Sequence, residues 1–312
     1  MKLLRCVTTW LWALGVLGCS AAWSADIVIL SSERSAGYVE AGQAALHELA
    51  RAGVKRDDVV QLVTSEMLAA DWVSTQGSKV WLTLGSDALS RALQRDGRPA
   101  VVAALIPRQS FDRIVRGAPR ATSPAVAVYL DQPLGRQIDL LHLALPNVQK
   151  VGALWGSESI AQQAQLQATL KARDLQLVNG TLTAGNTLFS ALRPVLDEAD
   201  ALLAVADPGV YNGSTVSNIL LATYRAQLPV MAFSPAYVNA GALLALYSTP
   251  RQIGAQAAGL VRQLQLGATT GVASQYPVDF SVAVNEHVAR SLGFTLDEAA
   301  LLARLQKQER RP

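Results

Sequence analysis

The sequence predicts an α/β protein of two lobes, each a parallel sheet flanked by helices, with a hinge and an interlobe cleft. Three observations lead there. Short runs rich in Val, Ile, Leu and Ala alternate with longer amphipathic segments, both bounded by Gly, Pro, Ser or Asp. That alternation is the β-α-β pattern of a parallel sheet. The short runs are almost continuously apolar, as strands covered by helices on both faces require. Finally, the pattern runs to about residue 130 and restarts after Asp131-Gln132-Pro133, in a chain longer than the ~150 residues that one core usually serves.

The first segment reads as an export signal. Lys2 and Arg5 precede an apolar stretch from Val7 to Gly18, followed by small residues and then Asp26. The stretch falls short of the roughly 20 residues that a membrane-spanning helix needs. Cleavage after Ser24 is the working boundary, with Ala22 as the alternative. A rival reading takes Val16-Leu17-Gly18-Cys19 as a lipobox that would make Cys19 a lipidated first residue, anchoring the protein to the membrane. Both cysteines, Cys6 and Cys19, fall in this segment. Ordinary cleavage therefore leaves no thiol, which excludes disulfides, thiolate catalysis and zinc-cysteine sites. The expected location is the periplasm.

Beyond the leader, strands are expected at Ile27 to Leu30, Val59 to Val63, Val80 to Leu84, Ala100 to Leu105 and Ala125 to Tyr129. After the restart they fall at Val151 to Trp155, Leu175 to Val178, Ala201 to Val205 and Val230 to Phe233. Helices with an apolar face are expected at Gly37 to Ala52, Asp87 to Gln94, Leu134 to Leu145, Ile160 to Arg173, Leu188 to Glu198 and Val216 to Gln227. A third section has a strand at Ala242 to Leu246, a helix from Pro250 to Leu266, a strand at Phe280 to Val284 and a closing helical region. It is too short to be a domain. The economical arrangement assigns 25–130 to the first lobe, 131–236 to the second, 237–272 to a return into the first, and 273–312 to the second.

Composition narrows the function. The chain has 27 basic and 24 acidic residues, and two of the basic ones lie in the leader, so the rest is nearly neutral. This gives no support for nucleic-acid binding. Lys307, Arg310 and Arg311 form a small basic tail that reads as a solvated helix end. His47, His142 and His287 lack the paired spacing of a metal-binding helix, and no metal or cofactor is expected. The chain has no Gly-x-Ser-x-Gly elbow, phosphate loop or dinucleotide fingerprint, so the usual signs of a hydrolase, an ATPase or a dehydrogenase are missing.

Several segments carry a family resemblance. These are LTLGSDAL at 82–89, LPNVQKVGALW at 145–155, LLAVADPGVYN at 202–212 and PVMAFSPAYVNAGALLALYS at 229–248. The helix IGAQAAGLVRQLQLG and VAVNEHVARSLGF at 282–294 continue it. In this order and spacing they resemble the ABC-transporter substrate-binding proteins of uncharacterised type, which include tryptophan-binding lipoproteins. The resemblance covers nearly the whole mature chain. It implies the type I periplasmic binding fold and capture of a small solute without chemistry, for delivery to a membrane permease. A periplasmic sensor that reports to a membrane receptor, and an unrecognised periplasmic enzyme, are the alternatives. The family does not select the solute.

In such a fold, ligand contacts come from loops after the carboxyl ends of strands, where helix N-termini also face the cleft. The first lobe offers Ser32 beside Ser31, then Gly85 and Ser86, and Pro107. Gly85 permits close backbone approach, and Ser86 joins a hydroxyl to a helix N-terminus, which suits a carboxylate; the same geometry also serves a helix cap. The second lobe offers Trp155, Asp207, Tyr211 and Asn212. Asp207 follows the apolar run LLAVA, where it either pairs with a ligand ammonium or caps the next turn. Tyr211, Tyr237, Trp155 and Phe233 are candidate walls, or packing residues. Tyr237 also lies near the expected hinge, and Asp131 with Pro133 reads as the first hinge. An amino acid, aromatic ones included, fits a Ser86 and Asp207 pair.

Overall fold

The computed structural model describes residues 25–68, 71, 75–94, 99–118, 124–268 and 271–310. The expected leader, with Cys6 and Cys19, lies outside the described residues.

Two sheets divide the chain. The first holds β1 (Ile27–Ser31), β2 (Val59–Val63), β3 (Val80–Leu84), β4 (Ala100–Ile106) and β5 (Ala125–Tyr129) in the order β2-β1-β3-β4-β5, all parallel. Strand residues alternate between two faces, and both faces are buried. Ile27, Ile29, Leu82, Leu84 and Val102 pack under α1 (Ala36–Arg51). Val28, Leu30, Trp81, Val101 and Ala103 pack under α2 (Ser86–Leu93) and α3 (Arg108–Gly117). That is why these runs read as continuous apolar stretches. Helix α3 was not expected from the sequence. Three arginines mask its stripe of Phe111, Ile114 and Val115, of which only Phe111 is fully buried.

The second sheet holds β6 (Lys150–Trp155), β7 (Gln176–Thr181), β8 (Ala201–Leu203), β9 (Val230–Ala232), β10 (Leu244–Tyr247) and β11 (Ser281–Val284), in the order β11-β10-β9-β8-β6-β7. Only β11 runs antiparallel, paired with β10. One face is covered from α4 (Leu134–Ala144) and α5 (Gln163–Lys171), and the other from α6 (Leu188–Glu198) and α7 (Val216–Arg225). Two short helices, α8 (Pro235–Ala240) and α10 (Glu286–Ser291), complete this lobe with α11 (Glu298–Glu309), which packs on α4.

The segment expected to return to the first lobe from residue 237 behaves differently at its start. Strand β10 pairs with β9 and β11, so it belongs to the second sheet. Its four residues are as apolar as the first-lobe strands, and only the neighbouring strands distinguish the two placements. The chain reaches the first lobe with α9 (Pro250–Gln265), which packs along α1. Ala41, Ala45, Gly254, Ala257 and Ala258 keep those helices close. A Cβ at Gly254 would overlap the Ala41 carbonyl of α1. Gly254→Ala is therefore expected to cost about 1–3 kcal/mol through overpacking. The check is a lowered denaturant midpoint at unchanged m-value.

The segments that cross between lobes are laced together by one polar chain. Gln132, after β5, donates Nε2 to Ser248 Oγ at 2.8 Å, and Ser248, after β10, donates to the Asp279 carbonyl, before β11, at 2.6 Å. Arg136 on α4 donates Nη1 to Gln132 Oε1 and to the Pro277 carbonyl, both at 2.8 Å. Its Nε and Nη2 grip the Glu309 carboxylate at the end of α11 at 2.5 and 2.8 Å, and its guanidinium lies 4.2 Å from the Phe280 ring centroid. Gln132, Arg136 and Ser248 are all buried, so each needs the partners it has.

Candidate functional site

The carboxyl ends of the parallel strands carry the candidate site. In the first lobe, Ser32 follows β1. Its hydroxyl donates to the Leu84 carbonyl at 2.9 Å and accepts from the Ala88 N-H at 3.0 Å, so it caps α2 from a different strand. Gly85 has φ of 92°, and a Cβ there would overlap the Tyr38 and Ser32 hydroxyls. Glycine is needed at this point for internal packing as well as for its backbone conformation. Ser32 and Gly85 thus have structural roles, in capping α2 and in close packing against Tyr38.

Ser86 is different. It occupies the first position of α2, is exposed, and its hydroxyl makes no hydrogen bond among the described residues. Because Ser32 takes the Ala88 N-H, the Ser86 hydroxyl is not used as the cap, and Ser86 and Asp87 are exposed at the helix start. The neighbouring strand β4 ends in a bulge, with Leu105 at φ of 53°, and the chain then enters α3 through Pro107. Such bulges re-aim the residues that follow. Asp131 Oδ2 accepts the Arg108 N-H at 2.6 Å and so ties the end of β5 to the start of α3. Burial pushes the Asp131 carboxyl up from its ordinary value, against the pull of that bond.

Sequence reasoning missed Arg108. Its Nη1 donates to the Tyr276 hydroxyl at 2.9 Å, and its guanidinium carbon stands 5.9 and 6.0 Å from the Tyr129 and Tyr276 ring centroids. Those two rings meet edge to face at 5.3 Å, with Phe111 against Tyr129. The side chain is 47% exposed and lies 3.7 Å from Asp112. Arg108 thus opens a helix after the strand next to the one that Ser86 follows, while its half-exposed guanidinium is held over the Tyr129 and Tyr276 rings on the β5 side. The apolar spacing at Phe111, Ile114 and Val115 was the signal for the helix that places it.

The second lobe requires larger corrections. Trp155 is fully buried, and its indole N-H donates to Asn179 Oδ1 at 2.7 Å, so it belongs to the core. Asp207 is 2% exposed. Its Oδ2 accepts from the Glu158 and Ser159 N-H groups at 3.1 and 2.8 Å, and its Oδ1 from the Gly209 N-H at 2.8 Å. Three backbone donors compensate the carboxylate, and a ligand ammonium has no open approach. Gly156 makes this possible, since a Cβ there would overlap the Asp207 carboxylate. Asn212 uses its own amide within the loop, donating to the Pro208 carbonyl and accepting from Ser214.

Tyr211 meets Phe233 and Tyr237 edge to face at 6.0 and 6.3 Å between centroids, and Phe233 and Tyr237 lie tilted at 4.8 Å. Tyr211 is buried, its hydroxyl has no partner among the described residues, and burial pushes the phenol strongly up. Tyr237, half-buried on α8, reaches the Tyr211 carbonyl only at 3.4 Å. This cluster packs on the second-lobe core, with Phe233 and Tyr237 only partly buried.

Two α/β sheets joined by several crossings, with helix N-termini and a guanidinium at their strand ends, define a two-lobed binding protein of the type I periplasmic class. Residues 102–307 match the family described as ABC transporter substrate binding protein. The chain belongs to that family and is a solute-binding component of the ABC-transporter kind. No curated protein matches it.

Solved structures agree in fold. A conserved domain protein from Vibrio cholerae is 19% identical, with 90% of this chain and 98% of that one covered at a TM-score of 0.61. An ABC domain from Streptococcus pneumoniae, described as in complex with L-Trp, is also 19% identical, with coverage of 89% and 97% and a TM-score of 0.61. The ligand-free, open structure of a substrate-binding protein with adhesive properties from Clostridium difficile is 14% identical, with coverage of 87% and 95% and a TM-score of 0.64.

Proposed function

We propose that this protein captures a small carboxylate-bearing solute, amino acids foremost, between its lobes and passes it unchanged to a membrane permease. Export to the periplasm by the leader at 1–24 goes with this reading, and anchoring through Cys19 is the variant of it. The observation that carries the solute class is that Ser86 and Arg108 open helices at the ends of adjacent strands. Ser86 opens α2 after β3, Arg108 opens α3 after β4, and β3 and β4 are hydrogen-bonded neighbours. A helix N-terminus favours an anion, and a guanidinium accepts a carboxylate in a fork. Tyr237 and the rings behind it supply an apolar wall for the remainder of the solute. Asp207 is not part of this proposal, so recognition of an ammonium must come from elsewhere. The pneumococcal neighbour with L-Trp places aromatic amino acids among the solutes to test first.

The test uses the chain from Ala25 and a panel of amino acids, their decarboxylated amines, sugars and nucleosides, read by thermal shift and titration calorimetry. A bound solute raises the transition temperature by mass action. Carboxylates are expected to bind and the matching amines to fail. Arg108→Gln should weaken binding by about 10- to 100-fold, as loss of a charge-assisted bond predicts, and Ser86→Ala by less. Equal binding of acid and amine, or full affinity in Arg108→Gln, would sink the assignment. Conversion of the solute would establish an enzyme instead.

A further inference from the structure

Arg113, in the second turn of α3, donates Nη1 to Glu158 Oε1 at 3.2 Å. Helix α3 packs on β4 and β5 of the first sheet, whereas Glu158 follows β6 of the second. Among the described residues this is the only ion pair that joins the two lobes; every other pair lies within one of them. The second-lobe arm is not a free loop. Asp207 holds the Glu158 and Ser159 N-H groups, Ser159 Oγ accepts the Gly156 N-H at 3.0 Å, and Gly156 leaves room for the carboxylate.

We propose that Arg113 and Glu158 form a latch across the cleft, and that Asp207 is the positioning residue that sets its second-lobe arm. Rotation of the lobes about the crossings separates two groups fixed on opposite lobes, so the pair exists in the closed arrangement and is lost on opening. Its side chains are 62% and 36% exposed, and the contribution is that of a solvated pair, a factor of about two to five in the closed-to-open ratio. The latch therefore tunes solute affinity by adjusting how much of the population is binding-competent, and salt weakens it. Only this last consequence rests on the solute-capture reading; the lobe separation itself is measurable without any solute.

The chain from Ala25 contains no cysteine, so Gln43→Cys on α1 and Ala184→Cys after β7 give two unique spin-label sites, both exposed and one on each lobe. Pulsed electron paramagnetic resonance then reads the interlobe distance at low and high salt. Glu158→Gln and Arg113→Gln are each expected to move population about two- to fivefold towards the longer distance. High salt should do the same to the parent and little to either variant. The exchanged pair, Arg113→Glu with Glu158→Arg, should return the parent distribution. Asp207→Asn should lengthen the distance in the parent background and add nothing to Glu158→Gln, a non-additivity that a general loss of stability would not produce. Distributions unchanged by both single substitutions and by salt overturn the latch. A shift that the exchange does not reverse overturns it too, because the charges would then act on other partners.

Discussion

Arg136→Ala is expected to lower the unfolding free energy by about 3 kcal/mol, the lower end of the cost of removing one partner from a buried ion pair. The side chain is 8% exposed and uses four donor bonds, two to Glu309, one to Gln132 and one to the Pro277 carbonyl. Glu309 is about one-third exposed and regains some hydration when its partner goes, which keeps the loss from the upper end. The Pro277 carbonyl and the Gln132 amide have no such recourse, since they lie inside the crossings. Arg136→Lys keeps the charge but not the planar fork, so about half of the loss should remain. Chemical denaturation at constant m-value checks both values. A loss under about 1 kcal/mol for the alanine variant would mean that the chain through Ser248 holds the crossings without Arg136.

Asp207→Ala is expected to cost about 3 kcal/mol and to weaken solute binding only about two- to fivefold, through the Arg113–Glu158 pair, since Asp207 touches no solute in the reading given above. Substitution leaves the Glu158, Ser159 and Gly209 N-H groups without their acceptor. A buried donor left unpaired costs about 1–3 kcal/mol. Water reaching the enlarged space behind Gly156 offsets part of that sum, because a cavity lined by several polar groups accepts one. Asp207→Asn retains one acceptor oxygen and should lose about half as much. If Asp207 held a ligand ammonium instead, its removal would weaken binding and leave the unfolding midpoint in place. The two measurements together separate the roles.

Much of the fold was legible before any coordinates. Continuous apolar runs at Ile27, Val80, Ala100 and Val151, short and bounded by turn residues, fit strands covered on both faces, because a strand exposed on one face alternates. The helices at 134–144, 188–198 and 250–265 announce themselves by an apolar stripe and, for the last two, by a threonine cap. Helix α3 escaped because its stripe is short and set among arginines, and with it went Arg108. The Thr187 and Thr249 caps are local signals; the capping of α2 by Ser32, 56 residues away, is not.

What the sequence by itself determined is therefore the α/β class, the doubled sheet and Ser86 at a helix start, all of which follow from periodicity and local chemistry within one element. Tertiary structure alone decided the sheet to which β10 belongs, the partners of Asp207, the burial of Trp155 and the lacing of Gln132, Ser248 and Arg136 across the crossings. The reason is the same in each case. A carboxylate at a strand tip, or an apolar run of four residues, has identical local character whether it faces a solute, a loop 48 residues earlier or another sheet. Its role is set by which distant backbone donors and strands the completed fold brings against it.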